Sequence, residues 1–595
     1  MGSTQRFSGY PLAREGPKTP YTPNVDQNPA LRGWSLIIVA KLVTNFSFLA
    51  KATWSNAKLG IKDIPGLQEY DWRLQPIVTP LIPDGVVPTR AEITPELCER
   101  QPDDLAGRFY SAADYHELFK AGKLTPLQVV KALLPLISRG QDPPAKHELA
   151  WTSSREDLVL AAAKESTERY AAGKPLSVLD GVPVGVKDDI NVQGYISHIG
   201  LPIDPSDPFF TPATKTVWPV EKLQAAGAIV VGKLAMHELG SDVSGCNPRW
   251  GTPINWNNKS YYPGGSSSGG GSALSAALIP IAIGTDAGGS IRNPSSYAGT
   301  YGLKPTLHRT YTMKSSVCSI GPMAATANDL AIAYRIMASP NPEDPIQGSF
   351  AQSIPPSPTA KKTIGIYREW FDQAAPDVLE TTKKAISYFT DKLGYEVVDI
   401  TIPYVLEGQY AHNGWTLAEA YERVRAGAPD RSNPFKNLNH CNQLLMAMGA
   451  VTSGADMIAY SQLRALIMEH LAFLWKKYPG LLVLTPTVPN AGWVIEPGDN
   501  AYGFSDGNLT IRNMMYAWLA NSTGCPAISA PVGYVEPEQG EGKLPVGLMA
   551  MGEWGAEEQL LAWAKEAESY LNGELTGGRI RSKDWEDIVE IAKGS

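Results

Sequence analysis

The sequence is poor in cysteine and has no cysteine pair at a metal-binding spacing. Its 595 residues include five cysteines, no two of which form a CxxC pair. Because structural zinc sites and disulfide frameworks need clustered cysteines, we expect neither. The three His-Glu pairs also lack the second histidine of an HExxH zinc helix. So few thiols are typical of a reducing, intracellular compartment.

An excess of basic charge is also missing. The chain has 52 Lys and Arg residues against 60 Asp and Glu residues, a net charge of −8. This charge balance does not indicate a basic surface that would bind nucleic acid or an anionic lipid. The first 20 residues are polar and lack the apolar core of a secretory signal. We therefore expect a cytoplasmic protein that does not bind nucleic acid.

Long apolar runs are absent apart from one stretch, residues 34–50. Its apolar residues recur at steps of three and four, which predicts one amphipathic helix with the stripe Trp34, Ile38, Leu42, Phe46 and Leu49. The stretch is too short and too polar to span a bilayer. The helix either packs across the main domain or forms an entrance cap, a membrane-surface contact or a dimer contact.

After about residue 105 the chain alternates predicted strands and helices. Thr125 followed by Pro126 predicts a helix start. A helix is predicted over 377–393, and strands are predicted over 182–186, 228–231, 278–283, 363–367, 396–400, 481–484 and 526–531. This alternation indicates an α/β fold. Because no clear linker divides the chain, we predict an N-terminal extension (1–105) and a single domain (106–595).

The densest run of glycine and serine is PGGSSSGGGS, at residues 263–272. Such a run can be a flexible linker, a phosphate-binding loop or a catalytic loop. A linker is disfavoured, because a helix-forming segment over 272–277 and a buried strand follow directly. A phosphate-binding loop is disfavoured, because neither GxGxxG nor GK[ST] occurs here.

A second glycine-rich turn, GTDAGGSIRNP, follows that strand at residues 284–294. Gly288 and Gly289 allow successive N–H groups to point into one space, which can stabilise an oxyanion. Ser290 at its edge is placed to attack a carbonyl carbon. Because no histidine is close in sequence and GxSxG is absent, a serine–histidine pair is not indicated. Lys187 at the end of a predicted buried strand is a candidate base, since burial disfavours a charged ammonium.

Three segments together resemble the amidase signature family. They are Gly181–Asp188 (GVPVGVKD), Gly264–Ser267 (GGSS) and Gly284–Pro294. Their order and the 24-residue separation of the two serines match the family. The resemblance runs from about residue 109 to about residue 566, and segments such as YYPGGSS and GCPAISAPVG favour acetamidase-like or fatty-acid-amide-hydrolase-like members. One departure is Ser268, which stands where the family usually has glycine.

The resemblance implies a fold and a set of catalytic roles. The fold is a large twisted mixed β-sheet covered by α-helices on both faces. The implied triad consists of Ser290 as the nucleophile, Ser266 as a bridging serine after a cis peptide bond, and Lys187 as the base. The N–H groups of Ala287, Gly288, Gly289 and Ser290 would form the oxyanion hole. Neither a metal nor an organic cofactor is implied.

The implied reaction is hydrolysis of a small-molecule amide through a serine acyl-enzyme, with aryl or medium acyl groups favoured and esters or carbamates as further substrates. Two alternatives stay open: an acyl-transferring or amide-forming enzyme, and the A subunit of a tRNA-dependent amidotransferase. The acidic charge and the long extension disfavour the second. A homodimer also stays open. The substrate pocket is expected within about 400–480, with the candidates Tyr404, Tyr410, Trp415, Tyr421, Leu444, Leu445, Met446 and Met448.

Four charged residues beside the motifs have simpler interpretations than catalysis. Asp286 and Arg292 flank Ser290, and we expect them to pair and shape the turn. Asp188 and Asp189 follow the candidate base, and we expect them to start a helix or to accept supporting hydrogen bonds.

Overall fold

The computed structural model describes residues 6–25, 28–61, 63–87, 89–204, 207–353, 355, 357, 359–427 and 432–594. Its strands are β1 (Phe7–Ser8), β2 (Leu31–Arg32), β3 (Thr79–Pro80), β4 (Trp151–Ser153), β5 (Pro183–Lys187), β6 (Ile229–Leu234), β7 (Ile281–Asp286), β8 (Tyr301–Lys304), β9 (Ser319–Ala324), β10 (Thr363–Ile366), β11 (Glu396–Asp399), β12 (Leu481–Pro486), β13 (Phe504–Ser505), β14 (Ala527–Val535) and β15 (Leu544–Met551).

The helices alternate with these strands along most of the chain. They are α1 (Gly33–Asn45), α2 (Ser47–Asn56), α3 (Ala112–Lys120), α4 (Pro126–Ile137), α5 (Glu156–Ala171), α6 (Trp218–Ala225), α7 (Ser268–Ser275), α8 (Arg292–Ala298), α9 (Ala327–Met337), α10 (Arg368–Phe371), α11 (Pro376–Asp391), α12 (Val405–Gly427), α13 (His440–Ala450), α14 (Gly454–Lys477), α15 (Asp499–Tyr502), α16 (Gly507–Met514), α17 (Trp518–Thr523), α18 (Glu557–Ser569) and α19 (Ile588–Lys593).

An eleven-stranded mixed sheet forms the centre, in the order β11-β10-β12-β15-β14-β8-β9-β7-β5-β6-β4. Strand β5 lies parallel to both β6 and β7. Strand β7 lies antiparallel to β9. Most of these strands are apolar and fully buried, as expected where helices cover a sheet. The predicted α/β fold with a large mixed sheet is confirmed.

The sheet brings together the carboxyl ends of β5 and β7, the two strands that lead into sequence motifs. Because β5 and β7 are parallel neighbours, their carboxyl ends lie at the same edge. Lys187 ends β5, and the glycine-rich turn follows the end of β7 at Asp286. The predicted helix start at Thr125 is also confirmed, because its side chain accepts a hydrogen bond from the Gln128 N–H at 3.2 Å.

Two predicted boundaries around the motifs were wrong. The strand predicted over 278–283 spans Ile281–Asp286, so the turn proper begins at Ala287. The helix predicted to begin at residue 272 begins at Ser268 and includes three glycines. Close packing explains the glycines, because a Cβ at Gly269 would lie 2.3 Å from the Ala150 carbonyl oxygen.

The prediction of one amphipathic helix over 34–50 was wrong. Two helices occupy this segment, and they meet at Phe46, whose extended backbone ends α1. The packed face of α1 consists of Leu36, Ala40 and Val43, and it contacts α13. The predicted stripe is instead largely exposed, with Trp34 at 80%. Small Ala40 allows α13 to approach closely, which explains why this face is buried in place of the larger residues.

Among the described residues, no single helix has both the length and the apolar character needed to cross a membrane. Helices α1 and α2 taken together have this length and apolar character, but the chain bends by 116° between them.

Candidate active site

Lys187 is almost completely buried, with 1% of its surface exposed. Its Nζ donates a hydrogen bond to Ser266 Oγ at 2.8 Å and another to Thr285 Oγ1 at 2.7 Å. The nearest carboxylate oxygen belongs to Asp189, at 3.7 Å. The amine is thus held by two hydroxyl groups, one of which belongs to the predicted bridging serine.

Ser266 lies on a tightly packed loop behind the sheet edge. The peptide bond between Gly265 and Ser266 is cis, as the family resemblance implied. A Cβ at Gly265 would lie 2.6 Å from the Gly245 nitrogen, so only glycine fits before the serine. The His237 N–H donates to the Ser266 carbonyl at 3.2 Å, and the Gly265 N–H donates to the Val243 carbonyl at 2.7 Å.

The turn that carries Ser290 is fixed directly to the loop that carries Ser266. The Ser267 N–H donates to the Ser290 carbonyl oxygen at 3.2 Å. Both serines are buried. The structure therefore places Lys187, Ser266 and Ser290 in one buried location, although they are widely separated in sequence.

The four predicted oxyanion donors are not equivalent in this structure. The Gly289 N–H donates to Asp286 Oδ1 at 2.8 Å and is therefore already partnered. Within the described part of the chain, no hydrogen bond is made by the N–H of Ala287, Gly288 or Ser290. These three N–H groups have no partner among the described residues, whereas the Gly289 N–H is occupied by Asp286.

Asp286 and Arg292 form the expected structural pair. Two hydrogen bonds of 3.0 and 2.9 Å join the guanidinium to the carboxylate, and both side chains are fully buried. Burial alone raises the pKa of Asp286, but the charge and hydrogen bonds of Arg292 outweigh it and hold this pKa well below its usual range. The carboxylate also accepts the Ile291 N–H at 3.1 Å, so it shapes the turn around Ser290.

We expect Asp286→Asn to destabilise the fold by about 3–5 kcal/mol at pH 7, because it leaves the buried Arg292 charge uncompensated. Since the folded-state pKa of Asp286 is lowered, its stabilisation is present above the unfolded-state pKa of about 4 and is lost as the pH falls below it. Urea unfolding should therefore show a gap between wild type and variant that shrinks toward pH 3. Asp372→Asn, which breaks an exposed ion pair with Lys383, is the control and should cost at most about 1 kcal/mol. An unchanged unfolding midpoint in Asp286→Asn would contradict the structural role.

Asp188 and Asp189 both accept hydrogen bonds, and Asp189 shares a hydrogen-bond partner with the predicted base. Asp188 is fully buried and accepts from the Gly200 N–H at 3.1 Å, which is the expected supporting role. Asp189 accepts a hydrogen bond from Thr285 Oγ1 at 2.6 Å. The same hydroxyl group accepts a hydrogen bond from Lys187 Nζ. Thr285 was not singled out from the sequence, although it lies within the recognised turn.

An apolar cavity of about 570 Å³ lies beside the predicted site, and we call it the side cavity. Its wall includes Ser241 and Asp242, on the segment that passes next to Ser266. Met514 also lines it and packs on residues 287–290, which we call the oxyanion turn after the predicted role of their N–H groups, because a Cβ at Gly288 would lie 2.6 Å from the Met514 Cε. Met514 is therefore the side chain that separates the side cavity from the turn that carries Ser290.

The predicted pocket residues are only partly confirmed as lining residues. Leu444, Leu445 and Met448 line the side cavity, together with Val39 and Ala52 from the first two helices. The other five candidates do not line it, and all of them are buried or half-buried elsewhere: Tyr404, Tyr410, Trp415, Tyr421 and Met446. Large apolar side chains are suited both to a hydrophobic core and to the wall of a pocket, and the sequence alone could not distinguish these two roles.

No metal-binding cluster is present among the described residues, since no group of three or more His, Cys, Asp or Glu side chains is placed to hold an ion.

Comparisons with known proteins give a consistent result. A sequence model described as Amidase matches residues 145–561. A fatty acid amide hydrolase of Medicago truncatula is 32% identical over 479 residues, which cover 78% of this chain and 76% of that protein. A glutamyl-tRNA(Gln) amidotransferase subunit of Symbiobacterium thermophilum is 30% identical over 494 residues, covering 76% of this chain and 96% of that protein. A solved bacterial aryl acylamidase, 21% identical, shares the fold with a TM-score of 0.64 over 82% of this chain and 99% of its own.

Proposed function

The chain belongs to the Amidase family and is an amide-hydrolysing enzyme, and we propose that Lys187, Ser266 and Ser290 are its catalytic triad. The observation that supports this assignment best is the buried 2.8 Å contact between Lys187 Nζ and Ser266 Oγ, on a loop bonded to the turn of Ser290. We further propose that the substrates are amides of carboxylic acids with an apolar acyl chain.

The proposed reaction uses these three side chains as a proton relay. Lys187, as the neutral amine, takes a proton from Ser266, which in turn takes the proton of Ser290. The Ser290 oxygen attacks the amide carbon, and free N–H groups of the oxyanion turn stabilise the negative oxygen. The relay then runs in reverse and protonates the leaving nitrogen. Water, activated by the same relay, releases the acid from the acyl-enzyme.

The side cavity supports an apolar acyl chain as the part of the substrate that is recognised. Its volume of about 570 Å³ lies in the range of small-molecule sites, and the surface of its wall is mainly apolar. Met514 lines the side cavity and packs on Gly288, so an acyl chain bound in the cavity would have its carbonyl end within one side chain of the oxyanion turn. The similarity to plant fatty acid amide hydrolases agrees with this substrate class.

A series of primary amides from acetamide to dodecanamide tests the substrate class. Each methylene buried in the cavity contributes about 0.8 kcal/mol, so kcat/KM should rise about fourfold per methylene until the cavity is full. Met448→Trp, which fills the cavity, should lower kcat/KM for dodecanamide by at least about tenfold and leave acetamide almost unchanged. Leu176→Trp, at an exposed position, is the matched control. A preference for acetamide would refute the apolar acyl site.

The same assay separates hydrolysis from acyl transfer. We expect free acid and ammonia in equal amounts, even when hydroxylamine is present as a competing nucleophile. Formation of hydroxamate as the main product, with little free acid, would favour the acyl-transferring alternative.

We also propose that helices α1 and α2 contact a lipid surface from which such apolar substrates are taken. Trp34 and Phe48 expose 80% and 68% of their surface, respectively. Residues 33–58 contain three lysines and no acidic residue, in a chain with a net charge of −8. This local positive charge complements anionic lipids, and the apolar side chains can enter the headgroup layer. The inner faces of the two helices line the side cavity.

Sedimentation with vesicles tests this contact. Binding to vesicles that contain phosphatidylserine should exceed binding to phosphatidylcholine vesicles and should weaken as salt is added. The double variant Trp34→Ser, Phe48→Ser should bind at least about tenfold more weakly, whereas Leu176→Ser should not. Equal sedimentation of the double variant and wild type would refute the proposal. A concentration-dependent dimer that the double variant abolishes would assign this surface to a second copy of the chain.

A further inference from the structure

Residues 237–242 pass between the bridging serine and the wall of the side cavity, and we call them the inner loop. The His237 N–H donates to the Ser266 carbonyl oxygen at 3.2 Å, and a Cβ at Gly240 would lie 3.2 Å from Ser266 Oγ. Leu239 has a left-handed backbone with a φ of 60°, which a leucine rarely adopts. Because such a conformation persists only where surrounding contacts hold it, the inner loop must be fixed by its neighbours.

A buried carboxylate, Glu238, joins the inner loop to the start of α13. Its side chain is fully buried, and its Oε1 accepts the Asn439 N–H at 2.8 Å and the Asn442 Nδ2–H at 3.1 Å. The guanidinium of Arg249 lies 3.6 Å from its Oε2. Burial raises the pKa of Glu238 to about 7, although these N–H groups and Arg249 oppose the rise. Above neutral pH the carboxylate is therefore ionised and accepts both hydrogen bonds in its charged form.

Both ends of the Asn442 side-chain amide are bonded to the inner loop. Besides its bond to the Glu238 carboxylate, Asn442 Nδ2 donates to the Glu238 carbonyl oxygen at 3.0 Å, and Asn442 Oδ1 accepts a hydrogen bond from Ser241 Oγ. Asn442 is fully buried, and its own N–H donates to Oδ1 of the N-cap residue Asn439 at 2.8 Å. The inner loop and the first turn of α13 thus form one hydrogen-bonded unit.

The helix that this unit holds forms one wall of the side cavity, through Cys441, Leu444, Leu445 and Met448. Neither Glu238 nor Asn442 is among the described residues that line the cavity, so any effect on a ligand there acts through the wall. Helix α13 also packs on α1 and α2 through apolar side chains. Apolar packing is not directional, whereas hydrogen bonds are, so the bonds to the inner loop fix the register of this wall relative to Ser266.

We propose that Glu238 and Asn442 are positioning residues that set the chain-length preference of the enzyme, because they hold the α13 wall of the side cavity in register with Ser266. The proposal rests on the proposed acyl site in that cavity. A long acyl chain contacts the α13 wall along its length, so a displaced wall weakens its binding. Acetamide has a single methyl group on its carbonyl carbon and makes little contact with this wall.

The ratio of kcat/KM for dodecanamide to kcat/KM for acetamide tests the proposal in the full-length enzyme above pH 7. This ratio does not depend on the amount of folded enzyme, so a merely structural role would not change it. Asn442→Leu removes both polar ends of the amide at similar volume, and we expect the ratio to fall about tenfold, as if one or two methylenes lost their contacts. If Asn442→Leu does not fold, Asn442→Ala should show the same direction of change.

Variants of Glu238 show whether the two residues act through their shared hydrogen bond. Glu238→Leu should lower the ratio about as much as Asn442→Leu, and the double variant should lose no more than the weaker of the two single variants. Glu238→Gln keeps an acceptor oxygen of the same reach and should stay within about twofold of the wild-type ratio. Gln443→Leu is the matched control, because Gln443 is on the same turn and bonds the Phe435 and Leu438 carbonyls instead of the inner loop.

Three outcomes would overturn the positioning role alone. They are an unchanged ratio in Asn442→Leu while wild type prefers dodecanamide, equal losses for dodecanamide and acetamide, and losses in the double variant that multiply. The second of these would place the effect of the pair on Ser266 and not on the cavity wall. A wild-type enzyme without any preference for dodecanamide would instead refute the apolar acyl site, and this proposal with it.

Discussion

Replacing Ser290 with alanine should abolish amide hydrolysis, with a fall in kcat of at least about 10⁴-fold, and should eliminate covalent labelling by a fluorophosphonate probe. The probe forms a bond to an activated serine oxygen only, and Ser290 is the serine placed on the turn with free N–H donors. Intact-mass measurement should show one added probe per wild-type chain and none per variant chain. The fold should persist, because the buried contacts of the turn depend on Asp286 and Arg292 instead.

A neighbouring serine provides the matched control for this result. Ser268 is buried in the same glycine-rich run as Ser266 and makes one long contact, of 3.5 Å, with the Ala235 carbonyl. Ser268→Ala should retain both labelling and turnover. Probe attachment at Ser268 or Ser266 in the Ser290→Ala chain would contradict the assignment of the nucleophile.

The sequence predicted those parts of the site whose geometry depends on short contiguous segments. A glycine-rich turn after a buried strand has few conformations, and Gly289 and Gly265 are required by positive φ and by close packing, respectively. The pairing of Asp286 with Arg292 was predictable for the same reason, since the two residues flank one short turn. The contact between Lys187 and Ser266, 79 residues apart, followed from the family resemblance and not from spacing.

The parts that were missed depend on contacts between distant segments. His412 and Met514 reach the oxyanion turn from α12 and α16, and nothing in their local sequence indicates a neighbour at Gly288. The face of α1 that packs against the rest of the protein was missed for a related reason. Periodicity identifies an apolar face, but whether that face meets protein or solvent is decided by what packs there, and α13 selects the side of Ala40.

The second large effect is expected at Lys187. Lys187→Met keeps the length of the side chain but removes the amine, so Ser266 can no longer pass on the proton of Ser290. We expect kcat for amide hydrolysis to fall by about 10²–10⁴-fold, the usual range for a lost general base, and the rate of fluorophosphonate labelling to fall with it. An activated ester should lose less than an amide, because its leaving group does not need the proton that Ser266 returns.

Lys233 provides a control that separates the loss of a base from the loss of any buried lysine. It is fully buried on the adjacent strand β6, and its Nζ donates to the carbonyls of Asp188 and Ile190 at 3.1 and 2.6 Å. Lys233→Met should therefore lower the unfolding midpoint in urea, while kcat per folded molecule stays within about threefold of wild type. Equal losses of kcat in the two variants, or equal sensitivity of ester and amide in Lys187→Met, would mean that Lys187 supports the fold of the site and does not move the proton.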